Sequence, residues 1–221
     1  MIRPSQPTDL PGIAALWQEA FGDGPEAVSA FFAHFPDCRS FVAEDDGEIV
    51  SMVHALPRTL SPDIPAAYLY AVATAKTHRS RGLCRDLMAF AEEELAKTGI
   101  QTTVLTPGEP SLFRFYENLG YRTAFFRTRT PFRGGEPISL TEYNRRREEL
   151  LQIPHMVCTE HFLQYAQRIY DLTFYKTPTG IAAAGPHFTA EVLPEDLSDA
   201  PYAMLKTAQS MPNAYLGFGL E

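Results

Sequence analysis

Apolar residues recur along this chain with two spacings, one near 3.6 residues and one of two, and their alternation lays out the elements. Ile2-Arg3-Pro4 reads as a short opening strand. Leu10, Ile13, Leu16 and Trp17 share one helical face, so a helix is expected to run to Phe21 from a cap at Thr8 or Asp9. A second helix follows over 25–32. Residues 40–56 read as a hairpin, two apolar strands joined around Asp46-Gly47, a dipeptide suited to a tight turn. The run at 66–73 reads as a buried strand. After a basic turn, Leu83, Leu87, Met88, Ala91 and Leu95 mark an amphipathic helix over 83–97. A strand at 102–105, a turn at 107–110, a helix at 112–119 and a strand at 121–127 complete this part.

From residue 131 the pattern shortens. A helix is expected over 139–151 with Ser139 or Thr141 near its cap. Another is expected over 158–170, with Phe162, Tyr165 and Ile169 on one face. Strands at 173–175, 180–183 and 188–193 and a helix near 197–208 follow. The mixture predicts an α+β chain of two parts, 1–130 and 131–221.

Composition narrows the class. A chain of 221 residues with 45% hydrophobic residues holds one large domain, or one domain with a smaller appendage. Its first residues lack the apolar core of a signal peptide, and no run is long enough to span a membrane. Cys38, Cys84 and Cys158 show no metal-type spacing and leave one cysteine unpaired in any disulfide scheme. A reducing cytoplasm and no metal are expected. A net charge of −8 argues against nonspecific nucleic-acid binding and suits a cationic substrate, while also serving ordinary solubility.

The sharpest chemical signal is Arg79-Ser80-Arg81-Gly82-Leu83-Cys84. This basic turn links a buried strand to a helix start, where free backbone N–H groups, the helix dipole and two guanidinium groups favour an anion. A phosphate or pyrophosphate is the natural ligand. The turn lacks the Lys-Ser/Thr pair of a P-loop and the three glycines of a Rossmann fingerprint.

The turn resembles the acetyl-CoA loop of the GCN5-related N-acetyltransferases (GNAT), with pattern Arg/Gln-x-x-Gly-x-Gly/Ala. Arg79 and Gly82 fall on the first two fixed positions and Cys84 departs mildly from the third. Downstream, Phe115-Tyr116-Glu117-Asn118-Leu119-Gly120-Tyr121 is similar to the family's FYxxxGF/Y segment, with Gly120 as a left-handed helix stop. The element order up to residue 130 resembles the whole GNAT core, a twisted, mostly antiparallel sheet flanked by helices. Residues 131–221 resemble the front half of a second, degenerate GNAT fold with no phosphate turn of its own.

The resemblance implies an acetyl-CoA-dependent N-acetyltransferase whose acceptor is a small-molecule or peptide amine, with no nucleic-acid or membrane partner. It assigns the pyrophosphate to the turn, with backbone contacts at Arg81, Gly82, Leu83 and Cys84. It assigns main-chain pairing with the pantetheine arm to Val72, Ala73 and Thr74. Tyr116 would protonate the departing thiolate. Glu109 stands where the family often has an asparagine, and a carboxylate cannot donate that amide's hydrogen bonds. No carboxylate lies on the entering strand, leaving His54 and Tyr70 as candidate bases, with a structural role the commoner fate of such a histidine. Cys84, at a helix start beside arginines, is expected to have a lowered thiol pKa. A catalytically inactive acyl-CoA-binding or regulatory protein is the alternative, and a homodimer through the C-terminal part is a candidate assembly.

Overall fold

The computed structural model describes residues 1–218, which form two compact units. The first comprises Met1–Arg58 and Pro65–Leu105; the second comprises Thr59–Ile64 and the chain from Thr106 onward.

In the first unit the strands β1 (Ile2–Pro4), β2 (Arg39–Asp45), β3 (Glu48–Leu60), β4 (Ile64–Thr74) and β5 (Thr102–Leu105) lie side by side in chain order. β1 and β3 run antiparallel to β2, and β5 runs parallel to β4. The helices are α1 (Leu10–Phe21), α2 (Pro25–His34) and α3 (Leu83–Ala96). The turn between β2 and β3 has φ +48° at Asp46 and +83° at Gly47, the left-handed pair expected of a tight hairpin. α1 buries Ile13, Leu16 and Trp17 as its spacing predicts, while Leu10, expected on the same face, is exposed at the first turn; the helix stops at a left-handed Gly22. Neither expected residue caps α1 through its side chain. The Asp9 carboxylate instead accepts from the Gln6 N–H at 2.7 Å and from Arg3 at 2.6 and 2.9 Å. An arginine nearby gave that oxygen a stronger, charge-assisted partner than a helix N–H.

In the second unit, α4 (Ser111–Glu117) leads through the left-handed Gly120 into β6 (Arg122–Phe126). A four-stranded antiparallel sheet has the order β10-β9-β8-β7, from β7 (Glu136–Pro137), β8 (Thr173–Lys176), β9 (Ile181–Ala184) and β10 (Thr189–Leu193). α5 (Leu140–Leu150) is capped by Ser139, whose hydroxyl accepts from the Glu142 N–H. α6 (Glu160–Tyr170) is capped by Thr159.

Two expectations need correction here. The helix expected near 197–208 is a strand, β11 (Pro201–Thr207), paired antiparallel with β6. Its buried centre, Ala203-Met204-Leu205, is an apolar run too short for periodicity to separate helix from strand, and the edge of β6 decides it. The buried face of α6 is Phe162, Leu163, Tyr165 and Ala166; Ile169 lies on the solvent side at 43% exposure.

The second unit also buries two ion pairs. Arg127 donates to Asp196 at 3.0 and 3.2 Å and to the Gly217 carbonyl at 2.6 Å. Arg147 donates to Glu191 at 3.1 Å and to the Met156 carbonyl at 3.3 Å, while the Tyr143 hydroxyl donates to the same Glu191. The segment carrying Tyr215 is fastened on both sides. The Met156 N–H donates to the Tyr215 carbonyl, the Ala214 N–H to Ala124, and Phe125 bridges Ala214 in parallel. Any side chain at Gly217 would collide with Glu191 and Arg147, so close packing adds to the demand of its φ of +69°.

Candidate active site

β4 carries the central geometric feature. Its pairing with β5 runs over Ala67↔Thr103 and Tyr68↔Val104, and β4 then continues to Thr74 while β5 ends at Leu105. Three residues past the last pair, Ala71 has φ +48°, a left-handed kink in an otherwise extended strand. An L-residue adopts that conformation at a cost of about 1–2 kcal/mol. Such a kink inside a strand is the mark of a bulge that redirects the backbone.

The backbone beyond the kink has a defined orientation. The Ser51 hydroxyl of β3 donates to the Ala73 carbonyl at 2.9 Å, and the Ala75 N–H donates to the Val50 carbonyl at 2.9 Å. Residues 73 and 75 therefore face β3. By strand alternation, Val72 presents its N–H and carbonyl to the opposite edge, the side on which β5 has ended. The Thr74 carbonyl accepts from Arg79 Nε at 3.1 Å, which folds the turn back onto the strand end.

The turn then enters α3. Ser80 has φ +63°, and Gly82 occupies the N-cap with φ +81° and no side-chain cap. The first hydrogen bond of the helix is Asp86 N–H to the Gly82 carbonyl at 3.0 Å. The N–H groups of Leu83, Cys84 and Arg85 precede it and have no carbonyl within the helix to meet. Arg79, Ser80 and Arg81 are exposed, while Gly82, Leu83 and Cys84 are half-buried. Exposed cations, a run of free N–H groups and the positive end of a fourteen-residue helix thus lie within six residues.

The expected lowering of the Cys84 thiol pKa does not occur. Burial pushes it up to about 11, because desolvating a thiolate outweighs the benefit of the helix start. Cys84 is a small, neutral filler beneath the turn.

His54 is also removed from acid–base work. It is fully buried, with Nδ1 at 2.7 Å from the Ser40 hydroxyl and its ring stacked on Trp17 at 5.1 Å. Phe32 stands edge-on at 5.3 Å. Burial in this aromatic cage lowers its pKa to about 3, so the ring is neutral at physiological pH and packs as a core residue. Tyr70 borders the same cluster, 5.6 Å from Trp17 and 5.4 Å from Phe31, and is half-buried.

Tyr116 belongs to the second unit. It is 6% exposed, its ring packs 5.2 Å from Phe115 and 5.8 Å from Tyr121, and its carbonyl accepts the Tyr121 N–H as α4 closes at Gly120. Glu109, exposed just before α4, accepts a hydrogen bond from the Ser111 hydroxyl. Sequence reasoning placed Ser80 in the turn but did not reach the left-handed backbone of Ala71 and Ser80, because nothing about an alanine or a serine announces it. Nor did it reach the Ser51 and Arg79 bonds that orient residues 73 and 74.

A parallel strand pair that parts past a kink and leads its open edge to a helix start with free N–H groups suits an extended ligand that ends in an anion. Comparison with known proteins is in accord. Residues 1–124 match the family model of the acetyltransferase (GNAT) domain, and the chain belongs to that family. It is 31% identical over 126 residues to the N-acetyltransferase Eis of Mycobacterium tuberculosis (strain ATCC 25177 / H37Ra), a match covering 52% of this chain and 31% of Eis. The chain thus spans about a third of the length of the curated relatives it matches. Among solved structures, a conserved protein of Enterococcus faecalis V583 aligns with a TM-score of 0.69 at 15% identity. A GCN5-related N-acetyltransferase of Kribbella flavida aligns with a TM-score of 0.67, also at 15% identity. Each covers 94% of this chain and 72% of the other, so the likeness in fold extends well beyond residue 124.

Proposed function

We propose that this chain is an acetyl-CoA-dependent N-acetyltransferase that moves the acetyl group to a primary amine by direct attack in a ternary complex. The observation that carries the reading is the course of β4: release from β5 after Tyr68, the kink at Ala71, the outward edge of Val72, and entry into the turn at 79–84. Val72, Ala73 and Thr74 supply the edge for the pantetheine amides, in the manner of an added strand. Arg79, Ser80, Arg81, Gly82, Leu83 and Cys84 receive the pyrophosphate. The Val72 N–H is the donor for the oxyanion that forms when the amine attacks the thioester carbonyl.

On collapse of the tetrahedral intermediate the C–S bond breaks and the thiolate takes a proton, which we assign to the Tyr116 hydroxyl, while the attacking nitrogen sheds its proton to water and Tyr116 regains one from solvent. Tyr116→Phe is expected to lower turnover roughly 10²-fold with acetyl-CoA affinity unchanged, and undiminished turnover would remove Tyr116 from the mechanism. No base is assigned from His54, whose neutral, enclosed ring suits packing. We assign the shaping of acceptor choice to residues 131–221, which lie wholly within the second unit. The three unpaired cysteines support a reducing cytoplasm as its setting.

The experiment is calorimetric titration with acetyl-CoA of the wild type and of an Arg79→Ala/Arg81→Ala double variant. Saturable binding that the variant loses supports the reading; no binding by the folded wild type ends it. A second reading, an acyl-CoA-binding protein without turnover, draws on the buried His54 and on the carboxylate at Glu109. Release of CoA in the presence of an amine panel decides against it.

A further inference from the structure

Ser51 stands in β3 among the buried apolar residues Val50, Met52 and Val53, and none of its surface reaches solvent. A hydroxyl enclosed so completely needs partners inside the protein. It finds them at the end of β4. The Ser51 hydroxyl donates to the Ala73 carbonyl at 2.9 Å and lies 2.8 Å from the Thr74 hydroxyl. A serine hydroxyl has one proton to give and lone pairs that accept. Its proton goes to Ala73, so the Thr74 hydroxyl is the donor in the second bond. A chain from the Thr74 hydroxyl through the Ser51 hydroxyl to the Ala73 carbonyl thus runs from β4 to β3 and back, each bond polarising the next.

This clasp lies where β4 is least supported. The last pair with β5 is Tyr68↔Val104, and the left-handed Ala71 strains the strand three residues later. Relaxing that φ would swing the backbone that follows it. Bonds from the Ala75 N–H to the Val50 carbonyl and from Arg79 Nε to the Thr74 carbonyl hold the residues farther on. The Ser51 bond lies closer to Val72 along the chain than either.

We infer that Ser51 is a positioning residue for acetyl transfer, holding the kinked end of β4 so that the Val72 N–H is aimed at the thioester carbonyl. The inference rests on the acetyltransferase reading and adds to it the means by which the oxyanion donor is kept in place. A displaced donor loses much of its value, because its advantage lies in being fixed before the charge develops. Ser51 acts through the backbone and not on the ligand, since its hydroxyl is enclosed and engaged with Ala73 and Thr74.

The test is infrared spectroscopy of acetyl-CoA, with a heavy carbon isotope at the thioester carbonyl, bound to wild type, Ser51→Ala and Thr74→Val. Calorimetry supplies the acetyl-CoA Kd of each. A hydrogen bond from a fixed donor weakens the C=O bond, so the carbonyl stretch in the wild-type complex is expected below that of free acetyl-CoA. Ser51→Ala is expected to lose that displacement while its Kd stays within about threefold, because the turn at 79–84 carries most of the affinity. Its melting temperature is expected to fall by about 4 °C, as for one lost buried hydrogen bond. Thr74→Val keeps the bond from Ser51 to Ala73 and is expected to lose part of the displacement; it decides the matter if Ser51→Ala does not fold. Unchanged displacement in the folded variants overturns the inference. Loss of acetyl-CoA binding by folded Ser51→Ala also overturns it, by placing Ser51 in the binding surface itself. A wild type that binds acetyl-CoA without the displacement overturns the inference and leaves the acetyl-CoA assignment standing. A folded wild type that does not bind acetyl-CoA removes both.

Discussion

The two units use arginine in opposite ways. In the first, Arg79 and Arg81 stand exposed on a turn whose backbone is already positive. In the second, Arg127 and Arg147 are buried at 6% and 0% exposure and each meets a buried carboxylate, Asp196 or Glu191. A cation in water is cheap to keep and free to meet a ligand. A cation in the core must be matched within the chain or the fold is penalised by several kcal/mol. The contrast separates residues available for binding from residues committed to architecture, although they are chemically identical.

The sharpest way to strain this contrast is to remove one buried partner. Glu191→Gln removes the buried partner of Arg147 and leaves it only the part-exposed Glu148 at 3.2 Å, and it is expected to destabilise the protein by about 3 kcal/mol in denaturant titration. The double substitution Arg147→Met/Glu191→Leu, which removes both charges and roughly keeps their volume, is expected to recover most of that loss. A double variant as unstable as the single one would mean that the hydrogen bonds to Tyr143 and Met156, and not the charge balance, hold this core together.

The exposed pair should behave in the reverse sense. Arg79→Ala/Arg81→Ala is expected to weaken acetyl-CoA binding tenfold or more, about 1.4 kcal/mol, while unfolding stability changes by no more than about 0.5 kcal/mol. A large loss of stability would move Arg79 into the architectural group through its bond to the Thr74 carbonyl.

Asp9 lies between the two cases and gives the smallest effect. Hydrogen bonds from Arg3 hold its carboxyl below the ordinary 3.8, with the Gln6 N–H assisting and burial opposing. Because the native pKa is depressed, the stabilisation is present above the unfolded value and disappears as pH falls through the native one. Wild type is expected to exceed Asp9→Asn by about 1 kcal/mol at pH 7. That gap should narrow as pH falls below the ordinary carboxylate value of 3.8, and thermal unfolding at decreasing pH measures it.

Much of the first unit was legible because its signals are local. The α1 stripe, the Asp46-Gly47 turn and the strand at 66–73 each arise from residues within a few positions of one another, and so does the Gly120 stop in the second unit. The basic turn was legible for the same reason. The second unit was harder because its elements are decided by distant partners. Ala203-Met204-Leu205 becomes a strand through β6, some eighty residues earlier in the chain. Glu191 would be unremarkable in a sequence, and its burial depends on Arg147 and Tyr143.

Within the candidate site the same division holds. The sequence by itself determined the order of the core elements, the helix entered through Gly82, and the residue types offered to an anion, since these follow from periodicity, turn chemistry and composition over short spans. Only the tertiary structure decided that Ala71 kinks β4, that Val72 faces away from β3, that Cys84 keeps its proton and that His54 is enclosed and neutral. Backbone strain, strand orientation and desolvation are set by what surrounds a residue, and those surroundings are assembled from parts of the chain that no local pattern connects.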